Sequence, residues 1–528
     1  MKRLGVLSVI AAAIGLAVCG MSAAAPIPGI FTYHYDNARD GQNLNETILT
    51  PANVNKTSFG KLFSRALDGY VYAEPLYVNA VQIPGVGARE VVYVATEHDS
   101  VYAFDATGAA TKPFWQVSFL HKNVTTVPFG KVGTNDLIPE IGITGTPVID
   151  PRTNILYVSV ATLEKKNYFH RLHALDLSTG QERFGGPVVI AGTAPGTGDG
   201  GDGETLTFIP RIANQRCGLA LNNGMVYVAF ASHGDQGAYH GWIFGYDAST
   251  LTQVASYVAT PNGYLGGIWM AGGAPMIDPG GNVFVVTGNG KFDVDQNDID
   301  YGDSLLKLGP TDSSKFGVID FFTPFNESNF DMEDLDFGSS GVIALPDQAS
   351  GPQHLALAGS KLGTLFLIDR DHMGQFSASE QDEDNQIVQS VRGQTGEIFS
   401  TPTYFNGRVY VGPTFDNLKA FSFANGQLST EPVSATSNGF SFSGTTPVIS
   451  ANGNQNGIVW AIGNSGSAVL HAYDANDLSV ELYNSTQSKK KRDAMSAYVK
   501  FTVPTVANGR VFVGSKKQLT VFGLLSPK

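Results

Sequence analysis

Cysteine is nearly absent: the 528 residues hold two, Cys19 and Cys217, and the first lies in an apolar leader. A mature chain without that leader keeps a single thiol, so no intramolecular disulfide can staple it and packing must hold the fold. The sequence has no CxxCH, which argues against covalently attached c-type haem. It also lacks HExxH and GxSxG, so neither the helical zinc-protease site nor the nucleophile elbow of many serine hydrolases is present. Charged residues are scarce at 15%, and they sum to -13. Contact with phosphate backbones needs clustered lysine and arginine, so this charge balance argues against nucleic acid as a partner. One basic run, Lys489 to Arg492, reads as a solvated loop. Beyond the N-terminus no apolar stretch approaches the roughly 20 residues a bilayer span requires.

What is present is 42% hydrophobic residues, 61 glycines and 26 prolines, the composition of a large folded core broken by many turns. Lys2 and Arg3, the apolar stretch Leu4 to Val18 and then Ser22-Ala23-Ala24-Ala25 follow the order of a secretory signal and its cleavage site. We expect a signal peptide over 1–25 and a periplasmic or secreted mature protein. Leu16-Ala17-Val18-Cys19 matches a lipoprotein box only loosely, because valine stands where a small residue is usual. Sequons begin at Asn45, Asn55, Asn123, Asn326 and Asn484 and matter only if the source glycosylates its exports.

One phrase recurs along the chain: a proline-led short strand, a polar turn, an aromatic and β-branched strand, then a third strand often ending in AxD. The second strands centre on Tyr93, Tyr157, Tyr227, Phe284, Leu355, Tyr410, Trp460 and Phe512. These are eight repeats of alternating pattern, which predict an all-β, eight-bladed β-propeller. Third strands end at Asp105, Asp176, Asp247, Asp369 and Asp474, where an aspartate folds onto backbone amides to start a turn. The last repeat stops at Leu519 to Phe522 without an outer strand. Phe59 to Ala66 can supply it, closing the ring with an N-terminal outer strand and removing an open sheet edge. The expected division is therefore a signal over 1–25, an N-terminal arm over 26–58 and the propeller over 59–528. Loops at 194–204 and 290–303 break the spacing and are expected at a binding rim. Within the second, Asp293, Asp295 and Asn297 faintly echo a calcium loop, but Asp298 stands where such a loop needs glycine.

The irregular positions carry the more specific motifs. These are Thr144-Gly145-Thr146-Pro147, Leu163-Glu164, Gly266-Gly267-Ile268-Trp269, Thr287-Gly288-Asn289, Phe322-Thr323-Pro324 with Asp334-Leu335-Asp336, and Ser360-Lys361-Leu362-Gly363. Together with the Ala103 to Gly108 and Ala174 to Gly180 repeats they resemble the quinoprotein alcohol dehydrogenases over most of residues 70–525. The resemblance implies pyrroloquinoline quinone and a calcium ion near the axis of the ring. It implies Glu164 and Asn289 as calcium ligands, Trp269 as the floor beneath the quinone, and Thr144 and Lys361 as its polar contacts. It implies Asp336 as the catalytic base, with Asp334 competing because the spacing from Pro324 is long. Read without the resemblance, Thr144 is a residue of high strand propensity, Glu164 a loop carboxylate, Trp269 a core filler and Gly288-Asn289 a turn. The adjacent cysteine pair that covers the quinone in many members is absent. Tyr72 and Glu74 stand near where another cofactor contact belongs, without the family's local pattern. His233, Asp235, Tyr239 and His240 form a polar group that matches no metal motif and reads as a rim loop.

The resulting expectation is an exported pyrroloquinoline quinone-dependent dehydrogenase, oxidising a small-molecule alcohol or carbohydrate hydroxyl and passing electrons to an external acceptor. The alternative is a non-catalytic propeller scaffold that binds protein or glycan, since fold alone does not fix function.

Overall fold

The computed structural model describes residues 28–311, 315–378 and 383–526, together with Met1; the rest of the expected leader, Cys19 included, lies outside the described residues. Eight antiparallel sheets follow one another along the chain and form a propeller. The first comprises Leu76–Ile83, Gly87–Thr96, Ser100–Asp105 and Trp115–Ser118, and the same four-strand order recurs through the seventh, Val448–Asn452, Gln455–Ser465, Ser467–Asp474 and Asp477–Asn484. All eight centres read from the sequence fall on the second strand of a blade. The five turn aspartates act as their type suggests, Oδ1 of each accepting the backbone N–H two residues on: Thr107, Ser178, Ser249, Asp371 and Asn476.

Second-strand tyrosines clasp neighbouring blades. Tyr93, Tyr157 and Tyr410 donate their hydroxyls to the carbonyls of Leu177, Ala248 and Ala475, each just past the turn aspartate of the next blade, at 2.8, 2.7 and 2.6 Å. A buried phenol needs an acceptor, and the aspartate turn of the next blade supplies one in register.

The eighth blade consists of Thr505–Ala507 and Arg510–Leu524, and Phe59–Tyr70 pairs with the latter antiparallel, Phe59 opposite Leu524. The N-terminal strand thus closes the ring. Phe59 is fully buried and packs edge-on against Tyr483 and tilted against Trp460, with centroids 5.0 and 5.5 Å away. Trp460 is itself fully buried and donates Nε1–H to Ser450 Oγ at 2.8 Å. Replacing it with alanine empties the joint beneath the closing strand and should cost about 4 kcal/mol in equilibrium urea unfolding.

Residues 29–43 cross the inner strands of all the blades in order. Gly29 and Ile30 pair with Val78 and Tyr77 of the first. Carbonyls of Phe31, Asn37, Ala38, Asp40 and Gly41 accept N–H groups from Ile149, Ile277, Ala344, Tyr404 and Ile449. The Asn37 and Asn43 amides reach the carbonyls of Leu221 and Val506, completing the third and eighth blades. This segment is a plug across one end of the axis. At its heart Arg39, fully buried, donates to the carbonyls of Pro275, Tyr33 and Asp36 and to Thr32 Oγ1. Among the described residues no helix is long and apolar enough to cross a membrane.

Candidate functional site

A cavity of about 180 Å³ is lined by Asp136, Arg216, Trp269, Asp336, Lys361 and Phe501, among others. Most of its residues lie a few positions before the first strand of a blade: Arg216 before Ala220, Ala271 before Met276, Ser339 before Ile343, Phe399 before Thr403 and Phe501 before Thr505. Those same first strands meet the plug further along. The cavity and the plug therefore sit at opposite ends of the inner strands.

Trp269, Asn289, Asp334, Asp336 and Lys361 converge here. Lys361 Nζ bridges Asp334 Oδ1 at 2.6 Å and Asp336 Oδ2 at 2.5 Å. Asn289 joins both carboxylates from the other side, its backbone N–H donating to Asp336 Oδ1 and its Nδ2 to Asp334 Oδ1, each at 2.8 Å. Asn289 Oδ1 is buried and makes no hydrogen bond. Gly288 is required by close approach: a Cβ there would stand 2.5 Å from Asp336 Oδ1 and 3.0 Å from Trp269 Cδ1. Of the two candidate bases, Asp336 is buried and in the cavity wall, whereas the Asp334 side chain is 70% exposed. Burial raises the Asp336 carboxyl above its ordinary value, with Asp334 adding to the rise and Lys361 and the Asn289 N–H opposing it. Burial would lower the Lys361 ammonium, but the two carboxylates outweigh it and hold the amine above its usual range.

Glu164 is placed elsewhere. It ends the second strand of blade two, forms an ion pair with Arg171, accepts from Thr162 Oγ1 and lines a separate cavity with Phe119 and His173. The structure therefore does not bring it together with Asn289. Thr144 lies beside Glu97, whose Oε2 accepts the Gly142 N–H at 2.7 Å while Oε1 is buried without a partner. Glu74 serves the plug, accepting the His34 N–H at 2.8 Å. Gly234 and Asp235 of the polar loop line the cavity; Tyr239 donates to Asp235 Oδ1 at 2.5 Å and meets Trp269 edge-on, centroids 6.4 Å apart. His240 is held between Thr260 Oγ1 and the Asp199 carbonyl. In the 290–303 loop, Asp293, Asp298 and Asp300 draw together, with Lys291 Nζ 2.6 Å from Asp293 and 3.5 Å from Asp300.

Sequence reasoning missed Asp136, Arg216, Phe399, Phe442, Phe501 and Lys500. The first five line the cavity, and Lys500 pairs with Asp136 beside it. For all of them but Asp136 the signal is positional: they occupy the few residues before a blade's first strand, as do Trp269 and Asp336. Edge-to-face contacts link Phe399 to Phe442 at 5.4 Å and Phe442 to Phe501 at 6.3 Å, so aromatic rings form part of the rim. Burial would raise the Asp136 carboxyl, yet Arg216 and Lys500 outweigh it and hold it below the usual range.

Burial pushes the Glu97 carboxyl up from 4.5 to about 7, against the pull of the Gly142 N–H, the Thr144 hydroxyl and Arg216. The folded chain thus binds this proton more tightly than the unfolded one. The wild type keeps the full contribution below the unfolded value and loses it as pH rises through the folded value. E97Q should match the wild type at pH 4 and exceed it by on the order of 3 kcal/mol at pH 8, read from urea unfolding at both pH values.

No protein-family model matches the chain, and no curated protein matches it. Among solved structures, the quinohemoprotein alcohol dehydrogenase of Comamonas testosteroni superposes with a TM-score of 0.62 at 16% identity, covering 96% of this chain and 82% of that one. A quinohemoprotein alcohol dehydrogenase of Pseudomonas putida follows at 0.57 and 14%, covering 95% and 81%. At such identities the likeness speaks for architecture: the chain has the eight-bladed propeller fold of the quinohemoprotein alcohol dehydrogenases.

Proposed function

We propose that the chain is an exported dehydrogenase that oxidises an alcohol or sugar hydroxyl, with pyrroloquinoline quinone held in the axial cavity and an external acceptor collecting the electrons. The observation that carries this reading is the meeting of Trp269, Asp336 and Lys361 in the wall of one cavity. An indole face suits a flat conjugated ligand, and an ammonium beside it suits the negative charge that such a ligand carries or gains. Trp269 and Lys361 would hold the cofactor, and Thr144, which lies beside Glu97, is proposed as a further polar contact.

When bound, pyrroloquinoline quinone supplies the acceptor for the two electrons and the hydrogen that leave the carbinol carbon. Asp336 takes the hydroxyl proton. Lys361 offsets the charge that burial would otherwise suppress, and the Asn289 N–H aims Asp336 Oδ1, leaving a positioned carboxylate for substrate. Calcium fits in part: the buried, unbonded Asn289 Oδ1 is a suitable donor, while Glu164 is committed to Arg171 away from it. The proposed roles of Asp336 and Lys361 need no metal.

The test is to load the purified protein with pyrroloquinoline quinone, with and without calcium, and screen alcohols and sugars against an artificial electron acceptor. Turnover of any of them supports the reading. A loaded protein that oxidises none favours the scaffold alternative.

A further inference from the structure

Arg216 has no role in the chemistry above, yet its environment is specific. It lies in the segment entering blade three and is 5% exposed. Its guanidinium carbon sits 3.9 Å from the centroid of the Phe501 ring. Nη1 is buried, makes no hydrogen bond and stands 3.9 Å from Asp136 Oδ2. Asp136 is already engaged by Lys500, so two cations share that carboxylate, and the buried Glu97 carboxyl is the other acidic group that feels Arg216. Leaving a buried charged donor idle is costly, and a ligand that satisfies it recovers that cost. Arg216 also forms part of the cavity wall, the same cavity that presents Asp336. A planar guanidinium matches a carboxylate in geometry as well as charge, which a lysine does not.

We propose that Arg216 is the anion subsite of this cavity and takes a carboxylate, with Lys500 and Asp136 fixing its charge and position. The inference rests on the cavity being a ligand site, as in the proposed function, and holds for either source of the group. The carboxylate arrives on the quinone cofactor, which is a tricarboxylic acid, or on a hydroxy-acid substrate whose hydroxyl is offered to Asp336.

The test is calorimetric titration of the full mature protein and its R216M and R216K variants, with thermal unfolding as the control for folding. Benzoate is the probe for the subsite, mandelate for a hydroxy acid, benzyl alcohol for the same ring without the charge, and pyrroloquinoline quinone for the cofactor. Benzoate should bind the wild type, at least tenfold more weakly to R216M and with intermediate affinity to R216K. A cofactor source predicts that R216M also weakens quinone binding at least tenfold and that bound quinone blocks benzoate. A substrate source predicts unchanged quinone affinity, with mandelate binding the quinone-loaded protein in an Arg216-dependent way and benzyl alcohol unaffected by R216M. If R216M fails to fold, R216K decides, since it keeps the charge and loses the fork. Benzoate that does not bind the wild type, or binds the variants equally well, overturns the subsite. Arg216-dependent benzoate binding without any quinone binding would instead keep the subsite and overturn the quinone reading.

Discussion

Replacing Asp336 with asparagine should lower kcat by about 10³ while leaving quinone affinity within a few-fold of the wild type, because the change removes a proton acceptor and little shape. The asparagine still offers an oxygen to the Asn289 N–H, so the turn holding it should persist. The pH profile gives a second readout. Burial places the Asp336 carboxyl above the ordinary carboxylate range with Lys361 pulling it back, and the base must be ionised to act. Activity in the wild type should therefore rise with pH through a limb above that range. In K361M the limb should move higher still, because the opposing ammonium is gone while Asp334 remains. Undiminished turnover in D336N would transfer the role to Asp334 or remove it from this cluster.

The second large effect is on stability. Arg39→Ala strips the plug of its central donor, leaves the carbonyls of Pro275, Tyr33 and Asp36 short of partners, and removes the cation beside Asp36 and the buried Glu74. Losing one partner from a buried charged network costs roughly 3–5 kcal/mol, and equilibrium urea unfolding should show a loss of that size. Burial pushes Glu74 up to about 8 even with Arg39 present. In R39A the carboxyl should rise further, so the penalty should be greatest in alkaline solution and smaller near pH 5. An R39A protein with wild-type stability would mean that the segment 29–43 contributes little to holding the ring.

Periodicity carried the ring. Each blade repeats the same alternation and turn, so Tyr93 through Phe512 could be counted, and the missing outer strand of the last blade pointed to Phe59. The plug escaped because residues 29–43 pair in short pieces with many strands, through isolated carbonyls that leave no alternation to read. At the site, Trp269, Asn289, Asp336 and Lys361 were legible because each sits in a distinctive local phrase, and the fold brings those phrases to one end of the inner strands. Arg216, Lys500 and Phe501 stand in no phrase; only their phase within the repeat marks them. Glu164 shows the converse: its phrase was recognisable, but the hairpin whose first strand it ends carries Arg171 on the second, and the ion pair holds it in another cavity.

Calorimetric titration of the purified mature protein with pyrroloquinoline quinone, beside Trp269→Ala, tests the account most directly. It predicts saturable binding of one quinone per chain, weakened at least tenfold when the indole is removed. Absence of binding with and without calcium, or equal affinity in the variant, would contradict it.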